Sequence, residues 1–193
     1  MNMAKMQKVL EGIKVAEILQ ELSLNDNLWG TYPLRTSLGS PHEDCQDIWL
    51  RFRDWFDYDS LNPAEFCNGE HQPVWYPEVI RLPAIKATIN HIFTLVSGDE
   101  LGGCLITRIP AGKSVKWHQD SGHNCHYYLS KYLLLLQSAP GQSFNFEDER
   151  HEGVAGDLFL FDNRFPHSVV NPTELDRLSL ILSIRHKDQS CTA

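Results

Sequence analysis

After Ser97-Gly98-Asp99 the period of the apolar residues drops to two and stays there almost to the end of the chain, which restricts the fold more than any other feature. Alternation of this kind puts successive side chains on opposite faces of a strand. It predicts strands over Leu101–Ile109, Val115–Asp120, Lys131–Ser138, Gln142–Phe146, Asp157–Phe161, His167–Asn171 and Arg177–Arg185. Turn formers separate them: Pro110-Ala111-Gly112, Ala139-Pro140-Gly141, Gly153 to Gly156, Asn163 and Asn171-Pro172. Many short strands linked this way close into a sandwich or jelly-roll barrel.

Two helices are expected before the strands. Val9, Leu10, Ile13, Ala16, Ile18 and Leu19 fall roughly on one helical face between Ala4 and Leu22, until Asn25-Asp26-Asn27 breaks the pattern. Leu82, Ile85, Ile89, Ile92, Phe93 and Val96 form a second stripe, with Pro83 suited to the first turn. Between them, Trp29 to Tyr76 reads as loops rich in Pro, Gly, Asp and aromatics, with one strand at Ile48–Phe52. The expected fold is mainly β (α+β), a double-stranded β-helix with supporting N-terminal helices. It forms one domain over residues 1–193, with helical support and substrate loops in 1–100 and the catalytic jelly-roll core in 101–186.

The polar residues on these strands point to chemistry. On an extended strand His118 and Asp120 share a face, and His167 arrives from another segment. Two imidazoles and one carboxylate, with the remaining coordination positions open, suit Fe(II). Structural zinc prefers four closed ligands, usually including thiolates. An isolated His-x-Asp is common on surface strands, but here a Pro-Ala-Gly turn precedes it and a glycine-led apolar strand precedes the second histidine. The last strand has one face of Leu178, Leu180, Leu182 and Ile184, and another of Arg177, Ser179, Ile181, Ser183 and Arg185. A guanidinium turned into a barrel is costly without an anion. A dicarboxylate would supply one, held by Arg177 with a hydroxyl bond from Ser179; the alternative partner is a native Asp or Glu.

Other polar residues read as structural. His123, Cys125 and His126 fall in a loop marked by Gly122 and Asn124, which suits a mobile lid or substrate loop better than a zinc cluster. Trp117 reads as a packing residue, and Asn163 and Asn171 as turn formers. His42, His71, His151 and His186 have no spacing that recommends them.

The runs Ile109-Pro-Ala-Gly, Trp117-His-Gln-Asp, Gly156-Asp-Leu-Phe-Leu-Phe-Asp-Asn, Pro166-His and Asp176-Arg-Leu resemble the Fe(II)/2-oxoglutarate-dependent oxygenases. Within them the chain is most similar to the aspartyl/asparaginyl β-hydroxylase-like branch, including its bacterial and phage members. The resemblance implies iron held by His118, Asp120 and His167, with 2-oxoglutarate on Arg177. It also implies that Lys131, on the strand after the His-x-Asp, meets the cosubstrate. The implied activity is O2-dependent hydroxylation of a C–H bond with release of succinate and CO2. Its substrate would be an aspartyl or asparaginyl side chain, a free amino acid or a small acid. The enzyme that names the branch has glycine at the position of Asp120, so this chain departs from it toward the commoner triad. Two other readings use the same barrel: a cupin-type metalloenzyme without 2-oxoglutarate, and a non-catalytic jelly roll that binds an acidic ligand or a partner protein.

Composition narrows the partners. A formal net charge of −8 over 193 residues argues against a general phosphate-binding surface, so no nucleic acid is expected. Five cysteines (Cys45, Cys67, Cys104, Cys125 and Cys191) form no CxxC pair and suit reduced thiols. No apolar run approaches the roughly 20 residues that span a bilayer. Glu11, Glu17 and Glu21 interrupt any signal-peptide pattern. The expected compartment is cytoplasmic and the expected partner a small-molecule or peptidyl substrate, while oligomeric state leaves no trace in the sequence.

Overall fold

The structure, a computed structural model, describes residues 4–187, so Cys191 lies outside the described residues. The strands are β1 (Met6–Leu10), β2 (Gln46–Phe52), β3 (Val74–Trp75), β4 (Glu100–Ile109), β5 (Ser114–His118), β6 (Ser130–Gln137), β7 (Ser143–Phe146), β8 (Arg150–His151), β9 (Leu158–Phe161), β10 (His167–Val170) and β11 (Arg177–Arg185). The helices are α1 (Ala16–Leu24), α2 (Pro63–Asn68), α3 (Pro83–Leu95) and α4 (His123–His126). A seven-stranded sheet in the order β1-β9-β6-β11-β4-β2-β3 faces a four-stranded sheet in the order β5-β10-β7-β8. Every pairing within them is antiparallel. This is the mainly β double-stranded β-helix expected from the alternation.

The two faces of the large sheet do different work. On the outer face Leu178, Leu180, Leu182 and Ile184 of β11 join Ile18 and Leu22 of α1 and Ile85, Ile89 and Ile92 of α3 in one buried cluster. Each isoleucine of α3 is fully buried, worth roughly 1.5–3 kcal/mol relative to exposure. Truncating one, as in Ile89→Ala, costs about 2–5 kcal/mol. On the inner face Leu133, Leu135, Phe159 and Phe161 pack against Val115, Phe144, Phe146 and Val169 of the small sheet. That second cluster holds the sheets together and floors the cavity between them.

The N-terminal expectation is corrected. Met6–Leu10 is an edge strand paired with β9, not the start of a helix, and α1 begins only at Ala16. The cause lies at Gly12, whose φ of 73° is a left-handed conformation that ends any helix or strand there. Ile13 then donates its N–H to Gly156 O at 3.1 Å. A side chain at Gly156 would meet Ile13 O at 2.6 Å, so the chain crossing needs glycine. Val9, Leu10, Ile13 and Leu19 still pack on the core; periodicity identified the right residues on the wrong backbone. The second helix falls where expected, with Pro83 in its first turn.

Three further differences bear on the site. The strand at Ser114 ends at His118, so Asp120 lies beyond it. His123–His126 forms a short helix with Cys125 buried, in place of a loop. Trp117 is 54% exposed, not packed. Among the described residues no helix is long and apolar enough to cross a membrane.

Candidate metal and cosubstrate site

Strand pairing brings the two histidines together. β5 and β10 run antiparallel with His118 directly opposite His167, and their ring centroids are 4.3 Å apart. One ligand atom from each of His118, Asp120 and His167 lies within 4.8 Å of the others, and no other such group occurs among the described residues. His118 Nδ1 donates to Lys116 O and His167 Nδ1 to Phe165 O, each at 2.8 Å. A carbonyl can only accept, so the proton of each ring is on Nδ1 and Nε2 is left with its lone pair. Carbonyl bonds of this kind orient metal-binding histidines. His167 also stacks on Phe144, centroids 5.2 Å apart at 12°. Burial, and His118 beside it, keep its pKa below the usual histidine value.

Asp120 arrives from the chain beyond β5, and a turn residue fixes it. Its N–H donates to Asn163 O at 3.1 Å, while Asn163 Nδ2 donates to Asp120 Oδ2 at 2.6 Å. Oδ1 is left 3.4 Å from His118 Nε2. Two lone-pair atoms facing each other at that distance call for a cation between them, which is how this donor set fits a metal ion. Burial opposes ionisation of Asp120, but the close His118 imidazole, the Lys131 ammonium and the Asn163 amide outweigh it and hold the carboxyl well below the ordinary range. Asn163 is therefore a clamp, where the sequence suggested a turn former.

The triad opens into a cavity of about 390 Å³ lined also by Lys131, Arg177 and Ser179. Arg177 is 2% exposed. Its Nε has no hydrogen-bond partner, Nη1 reaches only Ser138 Oγ at 3.4 Å, and no carboxylate pairs with it among the described residues. Burial alone draws its pKa down to about 10. No native Asp or Glu neutralises it among the described residues, and an orphaned buried guanidinium is a fitting partner for an anionic ligand.

Lys131 is buried too, and its Nζ donates to Ser183 Oγ at 2.6 Å. Burial lowers its pKa, with Asp120 pulling the other way. Ser183 pairs with Lys131 six residues along β11 from Arg177, roughly 20 Å of strand. Lys131 therefore stands toward Asp120, at the other end of the strand from Arg177.

Four residues that spacing could not single out belong to the same cavity wall. Arg35, His42 and Thr107 line it, Asp47 anchors Arg35 from behind, and the His42 ring lies 4.6 Å from that of His118 at 74°. Burial first, then Arg35 and His118, drive the His42 pKa down to about 2. Cys125 packs under the triad, with Sγ 3.7 Å from Asp120 O and 3.6 Å from Asn163 Oδ1, and is not one of the grouped ligands. Although the chain is acidic overall, the lining holds Arg35, Lys131 and Arg177 against one carboxylate, Asp120.

A jelly roll carrying a His/Asp/His group that fits Fe(II), in one cavity with a buried arginine that fits a keto-diacid, defines the class: the 2-oxoglutarate/Fe(II) oxygenase superfamily. Residues 68–187 match the family model for aspartyl/asparaginyl beta-hydroxylase; this is over half of the sequence, and the chain belongs to that family. In fold it is similar to a prolyl hydroxylase from Trichoplax adhaerens, solved with a hypoxia inducible factor peptide fragment, at TM-score 0.63 and 16% identity, covering 95% of this chain and 84% of that one. A prolyl-4-hydroxylase from Pseudomonas putida is similar at TM-score 0.53 and 18% identity, covering 95% and 93%. The viral collagen prolyl hydroxylase of Paramecium Bursaria Chlorella virus-1, solved with 2-oxoglutarate, gives 0.54 and 12%, covering 94% and 96%. No curated protein matches the sequence.

Proposed function

We propose that this protein is a 2-oxoglutarate- and Fe(II)-dependent dioxygenase that hydroxylates a C–H bond of an aspartyl or asparaginyl side chain, or of a small acid or amino acid. His118, Asp120 and His167 hold the iron through Nε2, a carboxylate oxygen and Nε2. Arg177 and Ser179 hold the far carboxylate of 2-oxoglutarate, and Lys131 faces the cosubstrate from the metal side. Together the iron and cosubstrate supply O2 activation, with succinate and CO2 as co-products.

The protein's own part is orientation and exclusion. The carbonyls of Lys116 and Phe165 fix the imidazoles, and Asn163 fixes the carboxylate. Leu133, Phe144, Phe161 and Ile181 make the wall between them and Arg177 apolar, which strengthens charge pairing inside the cavity.

The observation that carries this reading is the buried Arg177 with Nε unpartnered in the cavity that the triad lines. A metal jelly roll that used no keto-diacid would have no need of it. Anaerobic addition of Fe(II) and 2-oxoglutarate should produce a metal-to-ligand charge-transfer band in the visible range. Absence of that band from a correctly folded protein overturns the proposal.

A further inference from the structure

We infer that His42 is a hydrogen-bond donor to a carboxylate or carboxamide oxygen of the primary substrate, held ready by Arg35 and Asp47. The inference deepens the proposed function and rests on its site. Arg35 Nε donates to Asp47 Oδ2 at 2.8 Å, and Nη2 to Asp47 Oδ1 at 3.1 Å. Arg35 Nη2 also donates to Thr107 Oγ1, which itself donates to Asp47 Oδ1 at 2.7 Å. The guanidinium is thus fixed in the plane of a buried carboxylate, and its remaining Nη1 meets His42 Nε2 at 3.0 Å. The loop is pinned as well, since Ser40 Oγ donates to Arg35 O at 2.6 Å and accepts from His42 N at 3.2 Å.

That contact settles the tautomer. A guanidinium has only donors, so His42 Nε2 accepts and the ring proton is on Nδ1. Nδ1 has no hydrogen-bond partner among the described residues, yet it is not among the sealed-off polar atoms. The ring lines the cavity and packs edge-on against His118. The result is a neutral N–H of fixed orientation beside the proposed iron. It is not spent on any protein acceptor, while Arg177 is reserved for the cosubstrate. A neutral donor of this kind selects a substrate with an oxygen acceptor near the reacting C–H bond. Aspartyl and asparaginyl side chains both supply one. Arg35, His42 and Asp47 all precede residue 68, outside the stretch that matches the family model.

The test uses the full chain, nitrogen-15-labelled at histidine and loaded with Zn(II) as a diamagnetic stand-in, with 2-oxoglutarate. N-acetyl-L-aspartate and N-acetyl-L-asparagine are the probes. NMR should find the His42 proton on Nδ1, and its resonance should move when one of the probes is added. A proton on Nε2, or a resonance indifferent to both probes, overturns the inference. His42→Phe keeps a ring against His118 but removes the donor, and should weaken the responding probe by roughly 10- to 100-fold. His42→Gln restores a donor and should recover part of that loss. If His42→Phe also abolishes the anaerobic Fe(II)–2-oxoglutarate band, the residue merely props His118 and the inference fails. Absence of the band from the unsubstituted protein sinks the underlying site; a retained band with a silent His42 sinks this inference alone.

Discussion

The cavity has a finished end and an unfinished one. Around the triad the imidazole Nδ1 atoms are bonded to carbonyls, and the carboxylate is clamped by Asn163. At the other end Arg177 is more deeply buried than His118 or Asp120, and its Nε is bonded to nothing. The first end is built before any ligand arrives, as metal ligands must be if their geometry is to select an ion. The second carries a desolvated charge that only an incoming anion can compensate. Orientation at one end is therefore prepaid in folding, while the other is stabilised by binding, so substitutions at the two ends should differ in kind as well as in size.

The largest effect belongs to the finished end. His167→Ala removes a proposed ligand on the strand opposite His118. It should lower iron retention after anaerobic reconstitution by more than the roughly 10- to 100-fold typical of a residue that only orients a ligand, and reduce turnover to background. Full iron content in that variant would erase the distinction between the two ends.

At the unfinished end, Arg177→Met should weaken 2-oxoglutarate by about 10²- to 10³-fold, the scale for removing one partner of a buried ion pair. Iron binding should not change. Stability of the ligand-free protein should move the opposite way, rising by roughly 1–4 kcal/mol as an uncompensated charge gives way to an apolar side chain. Thermal unfolding without and with 2-oxoglutarate reads both signs at once. Destabilisation of the ligand-free variant would mean that Arg177 is already satisfied.

Asn163→Ala sits between these in size. It frees Asp120 Oδ2 without touching a proposed ligand, so iron affinity should fall by about 10- to 100-fold. The dissociation constant for 2-oxoglutarate in iron-saturated protein should stay near its starting value.

The same contrast explains what was legible in the sequence. Period-two alternation finds strands wherever one face is buried, and both faces of β11 were assigned correctly because Leu178, Leu180, Leu182 and Ile184 pack on the helices while Arg177, Ser179 and Ile181 line the cavity. His118, Asp120 and His167 come together as their spacing suggested, though for a different local reason. Asp120 does not share a strand face with His118; it is carried to the group by Asn163. The clamp depends on a contact 43 residues away in sequence, which no local pattern encodes. Arg35 and His42 were invisible for the same reason, since an irregular loop has no period to read, and Asp47 at the start of β2 meets Arg35 only through that loop. The error at Met6–Leu10 is of another kind. Its apolar residues satisfy a helix or an edge strand about equally, and only Gly12 marks the break.

Ser179→Ala should have the smallest effect, and it probes the unfinished end without disturbing its charge. Ser179 is 5% exposed on the cavity face of β11, two residues from Arg177, and its hydroxyl makes no hydrogen bond to another side chain among the described residues. If that hydroxyl is kept for the far carboxylate, its removal takes away one hydrogen bond from a charged ligand and leaves the guanidinium in place. The expected loss is roughly 10-fold or a little more in 2-oxoglutarate affinity. Iron content and ligand-free stability should be unaltered, because neither depends on the hydroxyl. The comparison with Arg177→Met then becomes a double-mutant cycle. Two groups gripping one carboxylate should couple, so that Ser179→Ala costs less once Arg177 is gone. Strict additivity would place the two side chains on different ligands and would separate Ser179 from the cosubstrate.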